Sequence, residues 1–156
     1  MSSSDAVQRV SDLMEEIADA LDLDAEIEVG ESDGEIRVVL DGDDLGLFIG
    51  RHGQTIDAVQ HLAYKVAGRG GRSGPRVSVD ASGYRERRRQ VLEREAGEAA
   101  ARATDSNLPV ALDAMSAVER KIVHEFLKDR GEVETWSEGV EPDRHLVVGP
   151  AGSSPQ

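Results

Sequence analysis

The sequence predicts an α+β protein made of two small domains in tandem, and three observations carry that expectation. Its first half reads helix, strand, strand, helix, Gly-x-x-Gly, helix, strand, and its second half helix, short strand, helix, strand, strand. A glycine at position 83 separates the two series. At 156 residues the chain has room for one medium domain or two small ones with modest cores.

Ser2 to Ser4 supply N-cap candidates for the first helix, and Val7, Val10, Met14, Ile17 and Leu21 then recur at steps of three and four. The opposite face carries Asp12, Glu15, Glu16 and Asp19. Glu26 to Glu31 alternates, with Ile27 and Val29 on one side; Ser32-Asp33-Gly34 is a turn, and Ile36, Val38 and Leu40 resume the alternation, which predicts a hairpin. Asp41-Gly42-Asp43-Asp44 is expected to break the strand, its last Asp capping the short apolar piece Leu45 to Ile49. Ile56, Val59, Leu62, Ala63 and Val66 mark the next amphipathic helix. Gly68 to Pro75, with four glycines and a proline, reads as a mobile basic loop, and Arg76 to Asp80 as a third strand.

The second half opens with a long helix, Tyr84 to Ala103, ended by Asn107-Leu108-Pro109. Val110 and Leu112 suggest a short strand. Ser116-Ala117-Val118-Glu119 is a capping-box pattern, in which the Ser hydroxyl and the Glu carboxylate satisfy reciprocal backbone donors. The helix it opens runs to about Asp129, with Val118, Ile122, Phe126, Val123 and Leu127 as the expected buried side. Two strands, Val133 to Ser137 and Arg144 to Val148, close the series, and residues 151–156 form a patternless tail expected to be disordered.

The formal net charge of −13 argues on its face against a nucleic-acid partner, since Lys and Arg drive phosphate binding. Its distribution says otherwise. Met1 to Asp44 holds 15 acidic and 2 basic residues, so this stretch carries the entire imbalance, while Arg51 to Arg94 holds ten basic against four acidic. Such asymmetry suggests one side that faces a polyanion and one that repels it.

Gly50-Arg51-His52-Gly53 follows an apolar residue and opens a helix. The glycines allow a tight turn and the close approach of a ligand backbone. Helix-start amides carry partial positive charge, Arg51 adds a permanent one, and His52 donates from either ring nitrogen. Placed between two helices, after a helix and hairpin and before a third strand, this loop resembles that of the prokaryotic-type (type II) KH domain, in which G-x-x-G clamps about four nucleotides of single-stranded backbone. Gly68 to Pro75, including Arg72, stands where that family's variable loop faces the nucleic acid. Further on, Arg120 and His124 lie one helical turn apart, and Thr135 to Arg144 resembles the closing hairpin of a small α/β R-x-x-x-H (Arg-three-His) domain, another single-strand binder. The tandem resembles the bacterial Jag (SpoIIIJ-associated, KhpB/EloR-like) family over nearly the whole chain. Many members begin with a separate small domain and a charged linker; this sequence begins at the KH helix, and functions tied to that extra domain, such as coupling to envelope or division machinery, are not carried over.

The expected domains are thus KH at residues 5–82 and R-x-x-x-H at 83–150. The resemblance implies a single-stranded nucleic-acid binder, mainly of RNA and secondarily of single-stranded DNA, acting as a post-transcriptional regulator or RNA chaperone. Gly50, Arg51, His52 and Gly53 would clamp one stretch of backbone, Arg120 and His124 would hold another, and Arg85, Arg88 and Arg89, with Arg72, would add charge between them. The alternative is a protein-interaction adaptor that pairs its KH surface with a second KH protein or docks a basic ribosomal partner.

Enzyme classes find little support. His124-Glu125 begins like the H-E-x-x-H of metalloproteases, but Lys128 stands where the second ligand belongs. There is no phosphate-binding G-x-x-x-x-G-K-[ST], no G-x-S-x-G elbow and no cysteine. No catalysis, cofactor, metal or small-molecule substrate is expected. Aromatic residues are few, and the strands of the first half hold none, which favours backbone clamping over base stacking. The polar start and the lack of any apolar run of roughly 18 to 20 residues point to a cytoplasmic protein with no membrane span.

Overall fold

The computed structural model describes residues 3–69, 71 and 73–156. Ser2, a cap candidate, and Gly70 and Arg72 of the expected basic loop lie outside the described residues. The chain divides into two compact units, Met1–Arg85 and Glu86–Gln156.

In the first unit, helix α1 (Ser3–Ala20) buries Ala6, Val10, Met14 and Ala18, one residue per turn, and leaves its acidic face to water. Strands β1 (Ala25–Ser32) and β2 (Glu35–Gly42) pair antiparallel. They turn through Asp33 and Gly34, both at positive φ (53° and 76°), the backbone that suits the twist of a two-residue hairpin. β2 pairs on its other side, in parallel, with β3 (Arg76–Ala81), so that Ile36 meets Val77, Val38 meets Val79 and Leu40 meets Ala81. All six are buried, and with Val10, Met14, Phe48 and Ile56 they form the core.

The end of β2 and the start of the next helix differ from the expected pattern. β2 is not broken at Asp41 but continues through Gly42, because Asp41 and Gly42 still pair with Glu26 and Ala25. A Cβ at Gly42 would fall 2.6 Å from Asp24 O, so this glycine serves the close approach of two strands. Asp44, at φ 57°, does not cap the one-turn helix α2 (Gly46–Ile49); Leu45 occupies the N-cap position, without a side-chain bond.

In the second unit, helix α4 (Tyr84–Ser106), whose first two residues belong to the first unit, buries Leu92, Ala96, Ala99, Ala100 and Ala103. An alanine-lined face lets a helix lie close to its neighbours at little cost in side-chain entropy. Strands β4 (Val110–Ala114), β5 (Val133–Glu138) and β6 (His145–Pro150) form an antiparallel sheet with β6 in the centre. Helix α5 (Ala117–Leu127) begins at Ser116, whose hydroxyl accepts from Glu119 N at 3.3 Å.

The buried side of α5 differs from the expected one. Val123 and Leu127 are buried, but so are Glu119 and Arg120, whereas Val118 is 55% exposed and Ile122 and Phe126 are half-buried. The apolar arc of this helix is wider than the core it faces. Packing takes one edge of the arc and leaves the other at the surface. The tail, expected to be disordered, is tied to β5 and the residue before it: Ala151 N donates to Glu132 O at 3.0 Å and Ser154 N to Glu134 Oε2 at 3.2 Å. Amides of Gly152 and Ser154 hold the Glu134 carboxyl below its usual range.

Candidate nucleic-acid interface

Between α2 and the next helix, α3 (Gln54–Ala67), the chain makes one 3-10 turn over Arg51–Gly53. Gly50 (φ 73°, ψ 177°), His52 (φ 55°) and Gly53 (φ 77°) all take positive φ. Gly50 lies in a region almost closed to side-chain-bearing residues, and a Cβ there would meet Thr55 Oγ1 and Cβ. A Cβ on Gly53 would stand 3.0 Å from Tyr84 Cε1 and Oη. Both glycines are therefore required by the packing of the loop itself as well as by its turn.

Gly50 N donates to Gly46 O at 2.8 Å and Gly53 N to Gly50 O at 3.3 Å, which closes the turn on itself. Gly53 is the N-cap of α3, so no side chain caps that helix. The Gln54 amide donates back to Arg51 O, so the turn itself meets the first donor of α3, while the helix dipole still places partial positive charge at this end. Arg51 is exposed there, His52 is half-buried and Gly53 is buried.

The other predicted site residues are placed differently. Arg85 turns inward in the first unit: Nε donates to Val79 O at 2.8 Å, Nη1 to Asp57 Oδ1 at 2.8 Å and Nη2 to Gln60 Oε1 at 3.1 Å. In the second unit, Arg88 Nε donates to Glu119 Oε1 at 2.6 Å, and the Glu119 side chain is only 6% exposed. This pairing takes the carboxylate that the capping box would have used. Arg89 bonds Glu86 and Glu93 on its own helix, which lowers the Glu86 carboxyl and raises the guanidinium further. The arginines expected to form a phosphate-facing cluster thus have carboxylate partners within the protein, and Arg72 lies outside the described residues.

Arg120 and His124 also part company. Arg120 is buried, with Nη1 donating to Met115 O at 2.7 Å and Nη2 to Glu141 Oε1 at 3.0 Å, so it braces the start of α5 against the turn between β5 and β6. His124 is exposed, with Nδ1 2.6 Å from Thr135 Oγ1 on β5. Of the pair, His124 is the one presented to solvent. On an adjoining face of α5, Val118, Ile122 and Phe126 line a shallow groove of about 400 Å³ with Arg89, Glu93, Lys121 and Glu125 around it. Two cations of this region are already paired, Arg89 as above and Lys128 with Glu125 at 2.6 Å, which lowers the Glu125 carboxyl and raises the Lys128 ammonium.

Sequence reasoning did not find Thr55, Tyr84, Thr135 or Glu141. Each meets its motif across a turn or between elements, and no local spacing announces such contacts. Among the described residues, no group of three or more His, Asp or Glu is placed to hold a metal ion, and no helix is long and apolar enough to cross a membrane.

Comparison with known proteins places the chain in a family. Residues 7–80 match the KhpA/KhpB KH-domain family, and residues 90–150 match the family of R-x-x-x-H (Arg-three-His) domains. The RNA-binding protein KhpB of Bacillus subtilis is 30% identical over 146 residues, which is 92% of this chain and 70% of that protein. The chain belongs to the KhpB, or Jag-like, family. KhpB of Clostridium symbiosum is 36% identical over 139 residues, and KhpB of Lactiplantibacillus plantarum 35% over 143. The chain covers 88% and 92% of itself in these matches but spans only 63% and 44% of those two relatives. The two domain matches take in the Gly50–Gly53 loop and the Arg120–His124 helix, one in each domain.

Proposed function

We propose that this chain binds single-stranded RNA, without chemistry of its own, by clamping the sugar-phosphate backbone at Gly50–Gly53. The observation that carries this reading is the loop's backbone: positive φ at Gly50, His52 and Gly53, an α3 start with no side-chain cap, and Arg51 exposed beside it. Such a turn brings the positive end of α3 and an exposed cation to a phosphate, with no Cβ from either glycine in the way. The KhpB relatives bear the name RNA-binding protein, and both matched domains are of nucleic-acid-binding kinds. In the second domain, His124 is the contact, and Arg120 supports the helix that presents it. Single-stranded DNA is the second polymer on this reading, and the cytoplasm the compartment.

The test is fluorescence anisotropy with a labelled single-stranded RNA. Replacing Arg51 and His52 together by Asp weakens binding at least about tenfold, roughly 1.4 kcal/mol, with the circular dichroism spectrum unchanged. Equal affinity in the variant and the parent refutes the clamp. Log affinity also falls with log salt at a slope of about −0.7 per neutralised phosphate, and a flat dependence counts against the electrostatic part.

A further inference from the structure

We infer that Tyr84 and Arg85, at the junction of β3 and α4, are positioning residues that hold the Gly50–Gly53 loop in its binding geometry. This deepens the proposed function and rests on it for the RNA step alone. The junction is tightly specified. Ser82 and Gly83 both take positive φ (48° and 69°), Ser82 N donates to Leu40 O at 2.8 Å, and Asp80 Oδ1 accepts from Ala81 N and Arg85 N at 2.9 and 3.2 Å. These bonds fix where α4 starts and send two neighbouring side chains back toward α3.

Tyr84 lays its ring against Gly53, close enough that a Cβ there would sit 3.0 Å from Cε1 and Oη. Gly53 is both the last residue of the 3-10 turn and the N-cap of α3, so the ring backs the point where the loop becomes a helix. Arg85 takes hold one turn further on. Its guanidinium bonds Asp57 and Gln60 on α3 and the Val79 carbonyl on β3, and Gln60 Oε1 also accepts from Val79 N at 2.9 Å. The two side chains thus hold the end of the loop and the first turns of α3 against the sheet. The orientation of the α3 amides and of Arg51 depends on both. Because Arg85 spends its donors on protein partners, its effect on RNA passes through the loop, in contrast to the phosphate contact the sequence suggests.

The experiment uses the full chain. Backbone 15N order parameters at Arg51 to Gln54 are measured without RNA, and affinity is measured by anisotropy with fluorescein-labelled oligouridine, for Tyr84→Ala, Tyr84→Leu, Tyr84→Phe and Arg85→Gln. Tyr84→Ala and Arg85→Gln are expected to lower loop order and to weaken binding about five- to tenfold, and Tyr84→Phe, which keeps the ring against Gly53, to change loop order less than Tyr84→Ala does. Tyr84→Leu retains apolar bulk if the Ala variant fails to fold, and should still loosen the loop. Unchanged loop order in folded Tyr84→Leu and Arg85→Gln overturns the inference. Arg85→Gln that leaves loop order intact but flattens the salt dependence by about 0.7 identifies Arg85 as a phosphate contact and also overturns it. If the parent chain does not bind the oligouridine, the RNA reading fails while the order parameters still decide the positioning role.

Discussion

The two motifs differ in what makes them work. In the first unit, Gly-Arg-His-Gly is a backbone device: its glycines are fixed by φ and by close approach to Thr55 and Tyr84, and its charged residue points away from the protein. In the second, Arg-x-x-x-His is a side-chain device on a regular helix, and its two named residues divide the labour, with Arg120 inward and His124 outward. Spacing on a helix tells which residues share a face. It does not tell which of them the core will claim, and an arginine with a carbonyl and a carboxylate within reach is claimed readily.

Substitutions that separate structural from presented residues sharpen this contrast, and the largest effects belong to the second unit. Arg88→Ala leaves the buried Glu119 carboxylate without its guanidinium, and should cost about 3–5 kcal/mol in chemical denaturation of that unit. Arg120→Ala removes the donor to Met115 O and should cost about 2 kcal/mol; a stable variant with lost RNA binding would instead restore Arg120 as a contact. In the first unit, Gly50→Ala should cost about 1–3 kcal/mol through its positive φ and also weaken RNA binding, since the Thr55 side chain and backbone must move. His124→Ala should leave stability within about 0.5 kcal/mol and weaken RNA binding about threefold, the behaviour of a presented residue.

The smallest effect concerns the tail. The folded-state pKa of Glu134 is depressed by the Gly152 and Ser154 amides, so its contribution is present above the unfolded carboxylate value and lost as pH falls through the folded one. Glu134→Gln should therefore reduce the fall in melting temperature between about pH 5 and about pH 3. An identical fall in parent and variant would show that the tail is not held by this carboxylate.

Much of the fold was legible because it is local. Val10 and Met14 mark a helical stripe, Ile36, Val38 and Leu40 a strand, and Ser116 a cap, each within a few residues of its partners. The Gly50–Gly53 turn was legible for the same reason. What escaped reading depends on distant groups. Glu119 looked like half of a capping box until Arg88 took its carboxylate, and Val118, Ile122 and Phe126 looked buried because a helical pattern does not show how much of an apolar arc the sheet will cover. The positive surplus of Arg51 to Arg94 was a correct count, but counting does not reveal that Arg85, Arg88 and Arg89 are paired within the protein.

The parallel pairing of β2 with β3 has a consequence for how the chain is made. The β1–β2 hairpin needs only adjacent residues, whereas the partner of Ile36 on the other side is Val77, about forty residues later. At a synthesis rate of about 5–20 residues per second, β2 waits several seconds on the ribosome with one edge bare. An open strand edge invites association with other chains. Arg37 and Asp41 are exposed charges along that strand, the residue type that disfavours pairing with a foreign strand.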